Sequence, residues 1–66
     1  MADKFVIRFV ETNREERRNK EVTGRTVEEV TRKFNAARGE VHRSHGTVSI
    51  VTIKKPGQAH AQPYVG

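Results

Sequence analysis

The chain has 66 residues, with 13 Lys and Arg against 8 Asp and Glu, a formal net charge of +5 and no cysteine. This length can build one thin-cored domain, and the composition excludes disulfides and thiolate metal sites, while apolar runs of at most three residues exclude a membrane-spanning helix. A pI near 10.3 favours acidic partners. The lack of cysteine fits a reducing cytoplasm, and the opening Met1-Ala2-Asp3-Lys4 has no basic stretch leading into an apolar run, so neither export nor membrane spanning is expected.

Over residues 4–11, Phe5, Ile7 and Phe9 alternate with Val6, Arg8 and Val10, the period-two pattern of a strand. Apolar residues on both faces place this strand inside a sheet, with its aromatic face on the core. The polar stretch 12–16 turns the chain into a second strand over 17–23. There Arg17, Arg18, Lys20 and Glu21 leave Val22 as the clear apolar residue, and such a charged segment suits a sheet edge protected from unwanted pairing.

After the break at Gly24-Arg25, Thr26 stands three residues before Glu29, the spacing of a capping box, which predicts a helix over 26–38. Val27, Val30, Phe34 and Ala37 share one helical face, and Glu28 with Arg32 and Glu29 with Lys33 form i,i+4 pairs on the solvated side. Arg38 suits the negative end of the helix dipole, and Gly39 the left-handed position just beyond a helix end. Residues 40–46 then read as a loop. Residues 47–55 are rich in β-branched side chains, but Val48 and Ile50 fall on one face and Val51 and Ile53 on the other. Either a bulge shifts the phase or both faces are partly covered. Pro56-Gly57 ends the strand, and 58–66, without acidic residues, Lys or Arg and without periodicity, reads as a flexible tail containing Tyr64.

These elements assemble into one α+β domain of ββαβ order over 1–57. The expected sheet is three-stranded and antiparallel in order 2-1-3, with the helix on one face. The opposite face stays open, lined by Val6, Arg8, Val10 and two apolar residues of the third strand.

The pattern resembles small phage- and prophage-encoded proteins, which share a Phe/Val/Ile first strand, a Lys/Arg-rich second, a capped helix and a β-branched last strand with a basic end. Here those features are Phe5 to Val10, Arg17 to Val22, Thr26-Val27-Glu28-Glu29-Val30 and Val51-Thr52-Ile53-Lys54-Lys55. A second likeness, carried by the hairpin, the helix and the basic His42-Arg43 before the last strand, is to the archaeal ribosomal protein LX. The first implies a modulator or inhibitor of a host protein.

Little in the sequence points to chemistry. His42 and His45 have chelating H-x-x-H spacing and His60 adds a third imidazole, but no carboxylate is spaced to complete a metal site, so no metal is expected. No nucleophile stands with a base, no carboxylate pair sits in an apolar run and no phosphate-cradling glycine loop occurs. No catalysis, cofactor or small-molecule substrate is therefore expected. Two kinds of binding compete. Arg14, Arg17, Arg18, Lys20 and Arg25, with Arg43, Lys54 and Lys55, offer phosphate contacts to nucleic acid. Val6, Arg8 and Val10 on the open face offer a surface for a protein partner or for self-association. Phe5, Phe9 and Phe34 belong to the core, so no ring is left to stack on bases, and Glu15, Glu16 and Glu21 dilute the basic stretch. A protein target is the expectation, with nucleic acid as the alternative.

Overall fold

The structure is a computed structural model describing residues 4–64, so the first three residues of the expected domain and the last two of the expected tail lie outside the described residues. Strand β1 (Phe5–Asn13) pairs antiparallel with β2 (Glu16–Gly24) on one side and with β3 (Thr47–Lys54) on the other. Helix α1 (Val27–Arg43) crosses one sheet face, and β4 (Gln62–Pro63) adds to the outer edge of β3. The fold is α+β with sheet order β2-β1-β3-β4, the expected order 2-1-3 extended by one short strand.

The hairpin is tighter than the sequence implies. Where a turn over 12–16 was expected, Asn13 pairs directly with Glu16, and only Arg14 and Glu15 turn, at φ of 50° and 71°. Positive φ at both central residues is the type I′ arrangement that matches the twist of a hairpin, although Asn-Gly is the usual choice there.

Alternation along the paired strands assigns the faces. Phe5, Ile7 and Phe9 point to the helix, and Ile7 and Phe9 are buried with Val30 and Phe34 in a single core. On β3 a bulge resolves the phase conflict seen in the sequence. Arg8 pairs with Thr52 but Val10 with Ser49, so an extra residue is accommodated around Ile50. Ile50 sits at φ 52°, a region that a β-branched side chain avoids at a cost of about 1–3 kcal/mol. The shift lets Val48, Val51 and Ile53 all pack toward the core. It also corrects the expectation of two apolar β3 residues on the open face: Ile50 alone is there, 72% exposed, among Thr47, Ser49, Thr52 and Lys54.

The helix begins at the predicted N-cap, but only the Thr26 half of the expected capping box forms, because Glu29 bonds the N–H of Arg25 rather than that of Thr26. Thr26 caps it, its Oγ1 accepting from the Glu29 backbone N–H at 3.1 Å, while the Glu29 carboxylate accepts from the Arg25 N–H at 2.8 Å. Of the two helical ion pairs, Lys33 reaches Glu29 at 3.6 Å, and no Glu28–Arg32 bridge forms among the described residues. Val27, assigned by spacing to the core face, is 48% exposed, because the buried stripe starts one turn later at Val30.

The predicted stop at Gly39 is corrected. The stripe Val30, Phe34, Ala37 continues to Val41, which is buried, so the helix gains a further turn and Gly39 is an interior residue. Its true end is a Schellman motif: the His45 N–H donates to His42 O at 3.0 Å and the Gly46 N–H to Val41 O at 2.9 Å. His45 takes the left-handed position at φ 64°.

The segment expected as a flexible tail turns back onto the sheet as far as Tyr64. Pro56 and Gly57 (φ 82°) form a type II turn closed by the Gln58 N–H to Lys55 O bond at 3.1 Å, which sends the chain back along β3. The Tyr64 N–H donates to Val51 O at 3.0 Å, and its ring stands edge-on to Phe34 with centroids 5.4 Å apart. Phe9 meets Phe34 the same way at 5.4 Å and the Arg38 guanidinium lies 5.7 Å from its centroid, so Phe34 is the hub of the core.

Candidate functional site

One concavity lies on the open sheet face. Val6 and Arg8 of β1, Thr52 and Lys54 of β3 and the returning segment from Lys55 to Ala61 enclose a groove of about 360 Å³. Strand register explains the gathering. Val6 pairs with Lys54 and Arg8 with Thr52, so alternate side chains of adjacent strands stand together on the face away from the helix. Lys4 enters from the start of β1, and the type II turn brings His60 over the opposite wall. The lining thus holds Lys4, Arg8, Lys54, Lys55 and His60 around the short apolar groups of Val6, Ala59 and Ala61, with no carboxylate among its residues.

Lys4, Lys54 and Lys55 make no ion pair among the described residues. Arg8 does, donating from Nε to Glu21 Oε2 at 3.1 Å across the β1–β2 pair, but both side chains are more than half exposed. Such a surface pair is worth at most about 1 kcal/mol and yields readily to a competing anion. Electrostatically the groove is a cationic recess with the short apolar groups of Val6, Ala59 and Ala61 among its lining. It can order carboxylate or phosphate oxygens around a small apolar contact.

The structure separates the remaining predicted residues. Val10 lies on the same face one step along β1, beside Ile50 and Arg8 in a shallow depression. Arg17 pairs in register with Thr12 on that face, nearer the hairpin tip. Arg14, Arg18 and Lys20 cluster at the tip on the helix side, where Arg18 meets Glu16 at 3.3 Å and Lys20 meets Glu11 at 3.4 Å. Two of the three cations there are therefore already opposed by carboxylates. Arg25 precedes the helix N-cap and Arg43 ends its last turn, at opposite ends of α1. The basic second strand does not form one continuous phosphate track. Of the phosphate-contact set, Lys54 and Lys55 alone join the groove.

The three imidazoles do not converge either. His42 is in the last helical turn, His45 holds the helix cap and His60 lines the groove. No group of three or more His, Cys, Asp or Glu suited to a metal occurs among the described residues. Lys4 and His60 are the groove residues that sequence reasoning missed. Lys4 sits two residues before Val6 and so on the same face, a signal present in the alternation. His60 had none, because the segment that delivers it has no periodicity.

Among the described residues no helix is long and apolar enough to cross a membrane. Compared with protein-family models, curated proteins and solved structures, the chain finds no match.

Proposed function

We propose that the protein is a small non-enzymatic binding module of the cytoplasm whose open sheet face docks on an acidic protein surface. One observation carries this reading: the groove gathers Lys4, Arg8, Lys54, Lys55 and His60 beside the short apolar groups of Val6, Ala59 and Ala61, with no carboxylate in its lining. Nucleic-acid phosphates would use the cations but not the apolar groups of Val6, Ala59 and Ala61. Ring stacking on bases finds no platform here, since Phe9 and Phe34 are buried and Tyr64 is packed on Phe34. Self-association is disfavoured as well, because it would face this cationic surface with its own copy. The open face also carries Thr52, Ser49 and Lys54 where an apolar dimer interface would need larger apolar groups.

Capture from lysate on the immobilised protein, with and without nuclease, tests the target class. The expected result is an acidic protein retained after nuclease treatment and lost with Lys54→Glu combined with Lys55→Glu, while the pure protein sediments as a monomer. Capture that disappears with nuclease would assign the surface to nucleic acid instead. Its salt dependence would then steepen by roughly 0.7–0.9 in log–log slope for each phosphate contact.

A further inference from the structure

Ile50 is placed at odds with the fold's own interest. It occupies a left-handed backbone position at φ 52°, which disfavours a β-branched residue, and 72% of it is exposed, so it returns almost no burial to the core. The bulge itself serves packing, since it turns Val48, Val51 and Ile53 inward. A glycine or asparagine at the bulge would serve that purpose equally well and relieve the backbone. The isoleucine side chain therefore has no role inside the monomer.

Its surroundings supply one outside. Ile50 stands beside Val10, Arg8 and Thr52 on the open face, and Arg8 and Thr52 also line the cationic groove. We propose that Ile50 is the apolar anchor of the docking site, and that the partner presents an acidic segment with an apolar residue beside its carboxylates. The occupant follows from charge complementarity: Arg8 lines both the cationic groove and the depression that holds Ile50, and the carboxylate in that depression, Glu21, is already held by Arg8 at 3.1 Å, so the cations that favour an acidic segment lie in the adjoining groove. Val10 extends the contact. An exposed aliphatic group buried on binding, ringed by polar contacts that exclude water, is the usual anatomy of an anchor residue. This inference rests on the acidic-protein reading above and adds to it the residue that supplies apolar contact and the complement it needs.

Two short synthetic peptides test it, one alternating glutamate with leucine and one alternating glutamate with serine. Each is titrated into the isotopically labelled full chain and followed by backbone amide shifts. The leucine peptide should bind about tenfold more tightly, the order expected for burying one aliphatic side chain. Its shifts should centre on Val6, Arg8, Val10, Ile50 and Lys54. Ile50→Gly and Ile50→Asn should both reduce its affinity about tenfold, to that of the serine peptide, while raising the urea midpoint of the isolated protein. Opposite movement of stability and affinity is the signature sought. Equal affinities for the two peptides, with shifts still in the groove, would remove the anchor and leave acidic docking standing. No binding of either peptide would overturn both. Binding to phosphatidylserine-containing vesicles in place of the peptides would assign the anchor to a lipid surface and sink the proposal, as would lower urea midpoints in both variants.

Discussion

Gly24 shows how a single missing side chain positions the helix against the sheet. A Cβ built there would lie 2.6 Å from the Val30 backbone nitrogen and 3.0 Å from its Cα, so the first turns of α1 rest directly on the end of β2. Backbone on that side cannot swing away as a flexible side chain would. Gly24→Ala is therefore expected to cost about 1–3 kcal/mol in a urea titration, through displacement of the helix rather than loss of any contact. Glu29, a few residues on, acts through charge. The Arg25 backbone N–H bonded to its carboxylate holds its pKa below the ordinary value, with Lys33 adding to the effect and partial desolvation opposing it. A depressed folded-state pKa gives stability that is present above the unfolded-state value and lost as pH falls through the folded one. Glu29→Gln removes the charge but keeps an acceptor. Wild type should exceed this variant in stability near neutral pH, and the two should converge as pH drops through the carboxylate range. A constant difference across pH would show that the carboxylate's charge has no part in the cap.

At the scale of elements, the helix shows which parts of the fold were legible in the sequence. Thr26 and Glu29 fixed its start because a capping box is a local device, read within four residues. Its end was not legible, since Gly39 offered a plausible local stop while the reason to continue, burial of Val41, lies in tertiary contact. Gly39 now sits in a helix interior, and a Cβ there would meet nothing within 4 Å. Gly39→Ala should thus stabilise the protein by about 1 kcal/mol, the intrinsic helix preference of alanine over glycine, measured by thermal or urea unfolding. Destabilisation would mean that the chain needs the helix to break at Gly39 after all. The strands divide the same way. Order β2-β1-β3 followed from which strand was apolar on both faces, whereas the bulge appeared in the sequence only as a conflict between Ile50 and Val51. The groove was half legible: alternation placed Val6 and Arg8 on the open face, but Lys54 joined them through register and His60 through a turn that no periodicity announced.

Across the whole molecule, the returning segment links core stability to the groove. Tyr64 is tied to both: its ring packs on Phe34 at the hub of the core, and its backbone bond to Val51 pins the end of β4, which directly follows the groove-lining residues Gly57 to Ala61. The rest of that segment is held lightly. Gln58 contributes a backbone bond to Lys55 O at 3.1 Å and a side-chain acceptor for the Lys55 N–H at 3.2 Å, and β4 contributes only two paired residues. Without the tyrosine ring, little would oppose the conformational entropy of the seven-residue stretch from Gln58 to Tyr64. Tyr64→Ala should cost about 1–3 kcal/mol from lost apolar burial and the edge-on contact with Phe34. It should also release residues 58–64 from hydrogen-exchange protection while β1, β2 and α1 keep theirs. Because His60 and Ala61 would then leave the groove, binding of the glutamate–leucine peptide should weaken without any change to the Lys54 and Lys55 charges. Tyr64→Phe separates the hydroxyl from the ring and should retain both stability and binding. If Tyr64→Ala weakens neither stability nor binding, and residues 58–64 stay protected, the segment is held by its turn and strand pairing rather than by its terminal ring.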